Sequence, residues 1–252
     1  MYQAPTAPLS IGGVLDNGFQ LLKATFGKVI GLAFLSSVLG SAPNFIQPDM
    51  ATAENATLTT GLLGGSLIAA LFSVLFYGAI TARIGAVIKG GDIDFMESIK
   101  VGLRRMIPLI LCFLLYSIAF GIGIFLFIIP GIILGLSLVM GPYLVITEDL
   151  GPIDALKRSH NLVWGNWWRT AIIFTVIMFI MAAVYVLAAT LAGVGAVASG
   201  DVEATSMTAN LVIALLTAII TPVTYALGMA VLTDLQLRKD GDDLEDRIEA
   251  IS

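Results

Sequence analysis

Six apolar runs, each approaching the about 20 residues that a membrane-crossing helix needs, divide this chain, and its basic residues all gather at the same ends of those runs. The thirteen Lys and Arg fall in four groups. They are Lys23 and Lys28; Arg83, Lys89, Lys100, Arg104 and Arg105; Lys157, Arg158 and Arg169; and Arg238, Lys239 and Arg247. Two polar loops between the groups hold Asp49 and Glu54, and Asp201 and Glu203, but no basic residue. Translocating Lys and Arg is costly, so such an asymmetry orients a chain with its basic loops in the cytoplasm. The expectation is an all-α integral inner-membrane protein of six spans with both termini cytoplasmic.

Composition agrees. Hydrophobic residues make up 58% and charged residues 12%, at a mean hydropathy of +0.95, which excludes an ordinary soluble domain. The net charge of −5 does not indicate a basic partner, because Asp240, Asp242, Asp243, Glu245, Asp246 and Glu249 crowd the C-terminal tail. No basic surface lies outside the membrane-flanking groups, so nucleic-acid binding is not expected. The one cysteine, Cys112, and the one histidine, His160, rule out an internal disulfide and a site built on several Cys or His. No cofactor is expected. The first residues lack the basic start and cleavage site of a signal peptide, so the first helix is expected to stay.

Residues 1–9 read as a loose lead, residues 10–234 as the six-span domain and residues 235–252 as an acidic cytoplasmic tail. Ser10 can cap a helix in which Ile11, Val14, Leu15, Gly18 and Leu22 oppose Asp16, Asn17, Gln20 and Lys23. Span one follows at about 29–45 and span two at 61–82. A second amphipathic stretch sets Phe95, Ile99 and Leu103 against Glu97, Lys100 and Arg104. Spans three and four, about 107–129 and 131–147, meet at Pro130-Gly131 with almost no loop, so charge is silent on whether this hairpin crosses fully. A third amphipathic stretch begins at Pro152, suited to a first helical turn. It places Ile153, Leu156, His160, Val163 and Trp167 opposite Asp154, Lys157, Arg158 and Asn161. Spans five and six cover about 170–192 and 211–232. Leu244, Ile248 and Ile251 then sit at helical spacing, enough for a short docking helix. Three times an amphipathic helix precedes an outgoing and a returning span, a loose threefold repeat with uneven spacing.

The span middles contain no Asp, Glu, Lys, Arg or His, residues that usually mark ion-coupled transport. Tyr77, Tyr116, Tyr143, Tyr185 and Tyr225 can line a neutral-solute path or, more simply, hydrogen-bond between helices. Small residues recur four apart at Gly27/Gly31, Gly131/Gly135, Ser137/Gly141 and Ala226/Ala230, letting backbones approach. Trp164, Trp167 and Trp168 read as interfacial anchors. Arg104, Arg105, Lys157, Arg158 and Arg169 would face anionic headgroups, each contributing on the order of 1 kcal/mol near a charged leaflet.

The segment Ile129-Pro130-Gly131-Ile132, followed by Glu148, Gly151, Ala155, Arg158-Ser159, Leu162-Val163 and Gly165, resembles the YciC-like family of uncharacterised bacterial inner-membrane proteins. It is also similar to the membrane domain fused to some glycerophosphoryl diester phosphodiesterases, as is the stretch from Ile11 to Phe26. In those fused enzymes hydrolysis belongs to a separate soluble barrel, so the resemblance implies a membrane module and no phosphodiesterase activity. It implies motif positions at Glu148, Arg158, Ser159 and Gly165. Glu148 and Arg158 are expected to pair, with lipid phosphate as the competing partner of Arg158.

Together these readings predict a non-enzymatic membrane module that interacts with lipids or envelope proteins. The alternative is a carrier or channel for a small or amphipathic solute. Membrane phospholipids are the first expected partner; another membrane protein or a second copy of the chain follows. A surface enzyme would have only Glu148, Asp149, Asp154, Arg158 and His160 to draw on.

Overall fold

The computed structural model describes residues 2–45, 56–199 and 202–249. Among them the structure is helical, with no strand. Nine helices follow in order: α1 (Ile11–Phe45), α2 (Ala56–Ile88), α3 (Phe95–Arg104), α4 (Met106–Leu126), α5 (Ile128–Leu138), α6 (Gly141–Thr147), α7 (Pro152–Val163), α8 (Trp167–Ser199) and α9 (Val202–Glu249). Six segments are long and apolar enough to cross a membrane: Ile11–Ser41, Gly64–Ile88, Met106–Leu126, Ile128–Thr147, Trp167–Leu187 and Leu211–Gly241. The chain is an all-α integral membrane protein. Asp49, Glu54, Asp201 and Ile251 lie outside the described residues, as do the side chains of Glu203, Leu244 and Ile248.

The core forms where α1, α2 and α9 meet. Small residues permit the approach: a Cβ on Gly18 would sit 2.5 Å from a Leu227 methyl, and one on Gly228 would collide with the Tyr143 hydroxyl. Leu21, Leu32, Ile80, Ile84, Leu227 and Leu232 are fully enclosed there. Ser37 donates to the Ala214 carbonyl at 2.5 Å, tying α1 to α9 further along. Packing and such side-chain bonds hold helices together where lipid offers no hydrophobic gain.

Two amphipathic helices appear as separate elements. Asp94 caps α3, its carboxylate accepting from the Glu97 N–H at 2.6 Å. The Gly102 face of α3 presses on the α2 backbone at Leu75 and Ala79. Pro152 opens α7 in its first turn, and Ala155, Ser159, Leu162 and Val163 form its buried face. The first amphipathic stretch differs: it runs unbroken into span one as the beginning of α1. No Gly-Pro break separates Leu22 from Val29, and the Thr25 hydroxyl folds back on the Leu21 carbonyl at 2.8 Å. Asn17, expected on the polar face, is instead buried, 7% exposed.

Span four is interrupted. After α5 the chain turns at Val139-Met140 before α6 completes the segment. Gly131 and Gly135 bring α5 onto α4, where added methyls would meet Ile124 and Phe120. Gly141, beyond the break, lies against Leu156 and Cys112, and Ala226 and Ala230 are buried in the core. Gly27, by contrast, faces open space. Helix α9 continues past Asp234 without a break at the start of the acidic tail.

Candidate functional site

The basic end of the bundle is assembled from three knots of side chains and one cavity. Asp234 on α9 is the hub of the first knot, 1% exposed. Its carboxylate accepts from Arg169 at the start of α8, at 3.0 and 3.1 Å. Arg238, one turn along α9, adds a bond at 3.0 Å, and the Leu9 N–H adds another at 2.8 Å. Both arginines also donate to the Leu9 carbonyl, at 2.5 and 2.6 Å. Each charge is thus paired and hydrogen-bonded, the condition under which a buried carboxylate is tolerated. The knot fastens α8 and α9 to the N-terminal lead, which is therefore anchored at Leu9 rather than loose there.

The second knot holds the turn between α6 and α7. Asp149 takes a left-handed backbone, φ 59°, that ends α6 and reverses the chain; Asp tolerates this region better than most residues. Arg105 pairs with its carboxylate and donates to its carbonyl at 3.3 Å. The expected pair forms: Arg158 Nε lies 3.6 Å from Glu148 Oε2. Gln236 on α9 donates to the other oxygen of Glu148 at 2.7 Å. Lys89 donates to the Thr147 carbonyl at 3.0 Å. Elsewhere at this end Lys28 bonds Asp92 at 2.7 Å and lowers its carboxyl pKa.

The third knot repairs the break in span four. The Ser159 hydroxyl, fully buried on α7, donates to the Ser137 carbonyl at 2.8 Å and accepts from the Met140 N–H at 3.1 Å. Backbone groups released by a helix break inside a membrane protein need such a partner. The motif position at Ser159 therefore has a mechanical reason: its hydroxyl supplies partners for backbone groups at the break.

Beside this knot, between α4, α5 and α7, opens a cavity of about 630 Å³. Leu115, Ala119, Leu138, Ile153 and Leu156 form its apolar wall; Lys157, His160 and Asn161 form its polar edge. A second hollow of about 420 Å³ lies between Ile129 and Ile133 of α5 and Trp164, Gly165, Trp167 and Trp168. Gly165 has φ 95°, which explains why glycine stands at the turn into α8. Trp164 and Trp168 are largely exposed, Trp168 packs edge-on against Trp167 at 4.8 Å, and His160 lies 5.0 Å from Trp164.

The basic residues singled out in the sequence divide. Arg105, Arg158 and Arg169 are held by carboxylates. Lys157 edges the cavity, and Arg104 is exposed on α3. The partners of Asp234, and the roles of Leu9 and Gln236, escaped the sequence reading. Asp234 and Arg238, one helical turn apart, were the available signal; nothing local announces a backbone partner such as Leu9. Among the described residues no group of three His, Cys, Asp or Glu could hold a metal.

A family model described as "Uncharacterised protein family (UPF0259)" matches residues 32–221, three quarters of the chain. The chain belongs to this family. A UPF0259 membrane protein of Pectobacterium carotovorum is 28% identical over 152 residues, 60% of each chain. Relatives with the same description from Photorhabdus laumondii and Sodalis glossinidius are 29% and 25% identical, over 37% of each chain and over 46% and 47% respectively. The aligned part of this chain thus spans 60% or less of the length of these relatives. No solved structure matches. The UPF0259 match covers the interrupted span four, the Glu148–Arg158 pair and the Ser159 knot, and ends before Asp234.

Proposed function

We propose that this UPF0259 protein is a non-enzymatic inner-membrane module that holds phospholipid at its basic end, with that end and both termini in the cytoplasm. The orientation rests on the basic residues, which would be costly to translocate. The lipid reading rests on one observation, the division of the cavity between α4, α5 and α7. Its apolar wall suits acyl chains, and Lys157, with Asn161 and His160 beside it, suits a phosphate. Lys serves phosphate as a flexible point charge, without the fixed geometry of an arginine fork. Arg158 is the weaker candidate for that role because Glu148 already holds it.

A solute carrier is less well supported. Tyr77 and Tyr143, two of the tyrosines that would line a path, are buried and packed together with Tyr225, with ring centroids 5.1 to 5.6 Å apart. Catalysis at the surface has little to work with. Glu148, Asp149 and Arg158 are engaged in the turn, while Asp154 is exposed.

Titrating the delipidated protein with phosphatidylglycerol tests the reading. The melting temperature should rise with lipid for the native chain and much less for Lys157→Glu, while Lys23→Glu, exposed on α1, should respond like the native chain. An equal rise in all three proteins would count against a lipid seat at the cavity.

A further inference from the structure

We propose that the α4–α5 hairpin is re-entrant: it enters and leaves the bilayer on the basic side, and its tip is seated among the acyl chains of that leaflet. Helix α4, and α5 taken together with α6, each have the apolar length to cross. Their neighbours limit how far they reach. Near its end, at Ser137, α5 is pinned to Ser159 of α7 by a 2.8 Å hydrogen bond. Helix α7 carries Asp154, Lys157 and Asn161 exposed along one side, so it lies where headgroups or water can meet them. From Ser137 back to the tip at Phe127 is ten residues, about 15 Å at the helical rise of 1.5 Å per residue. The hydrocarbon core is about 30 Å thick. Even standing upright on α7, α5 would carry the tip only about halfway across.

It does not stand upright. Ile129 and Ile133 form one hollow with Trp164, Gly165, Trp167 and Trp168, the turn into α8. Arg169, directly after that turn, is bound to Asp234, the carboxylate that Arg238 also holds, at the basic end of the bundle. The tip of the hairpin therefore lies close to the level at which α8 begins, a full span away from the opposite face. Helix α5 is also flanked along its length by the interfacial helix α7: Ile129 and Ile133 lie near the turn that follows α7, while Leu138 shares a cavity with Ile153 and Leu156.

The chemistry of the tip fits hydrocarbon rather than water. From Phe120 to Leu136 the chain has no charged or hydrogen-bonding side chain, whereas the loops after spans one and five carry Asp49 and Glu54, and Asp201 and Glu203. Phe125 is 90% exposed, and Leu126, Phe127, Ile128 and Ile129 are also largely exposed. Only Phe127 leaves the helical path, and its backbone is still satisfied: its N–H donates to Gly123 at 3.0 Å and its carbonyl accepts from Gly131 at 3.2 Å. Helices α1, α2, α8 and α9 then form the crossing set, and the termini remain on one side. The inference depends on the proposed orientation only for which leaflet is the cytoplasmic one, and not on the lipid reading of the cavity.

The test uses the full chain with Cys112→Ala and single cysteines at Phe127→Cys, Lys100→Cys as a basic-side marker and Glu54→Cys as an opposite-side marker. A membrane-impermeant maleimide is applied from each side. Phe127→Cys should never label from the side that labels Glu54→Cys; labelling there as strong as that marker would overturn the proposal. If the markers label from the reverse sides, the cytoplasmic assignment falls while the hairpin is still scored against Lys100→Cys. For a tip buried from both sides, nitroxides at Phe127→Cys and Trp168→Cys in lipid vesicles decide. Spin–spin broadening between them places both at one face; its absence would overturn the re-entrant hairpin.

Discussion

At the scale of single residues, the charges at the basic end act mainly on one another. Asp234 is the strongest case because it is almost wholly buried between two arginines and the Leu9 backbone. Removing one member of a buried pair leaves uncompensated charge, at a cost of about 3–5 kcal/mol. Asp234→Ala should therefore lower the melting temperature in detergent sharply; a melt like that of the native chain would deny the knot a structural role. Glu148 and Arg158 are only partly buried, so their attraction is worth about 0–1 kcal/mol after screening. The like-charged variants Glu148→Arg and Arg158→Glu should each lose folded yield, and the double exchange should recover it because Gln236 can serve either charge. No recovery would mean that Arg158 answers to something other than Glu148. This pair was legible in the sequence because its members flank one short turn. The bond from Arg169 to Asp234, 65 residues apart, was not.

At the scale of elements, the broken span four and helix α7 form one unit. Ser159 closes the gap at Val139-Met140, and Gly141 allows Leu156 to press against the chain beyond it. Ser159→Ala would leave the Ser137 carbonyl and the Met140 N–H without this partner, at a cost of about 1–3 kcal/mol. Faster hydrogen exchange should appear at Met140 and the start of α6; unchanged exchange there would remove Ser159 from the account. The sequence revealed α7 through its opening proline and its polar side, but the apolar side was misplaced: Ile153 is exposed, while Ala155, Ser159 and Leu162 face the bundle. It did not reveal the break, because Leu138 to Pro142 is as apolar as an intact span and the cause, a hydroxyl on another helix, is distant in sequence. Continuity of α1 was hidden for a related reason: an amphipathic stretch followed by an apolar one reads alike whether or not a turn lies between them.

At the scale of the whole molecule, α1, α2 and α9 meet in a packed core, while a cavity opens on the flank formed by α4, α5 and α7. Membrane character and the set of apolar helices follow directly from composition and run length. Their arrangement does not, because a short hairpin without polar residues looks the same whether it crosses or turns back. The cavity on the open flank, with Lys157 at its edge, is the basis for reading the protein as a phospholipid-holding module. Native mass spectrometry of the full chain, released gently from membranes with bound molecules identified, tests that reading most directly. The account predicts a phospholipid retained in defined stoichiometry by the native chain and lost from Lys157→Glu. A native chain that carries no lipid, or a variant that keeps the same complement, would contradict it.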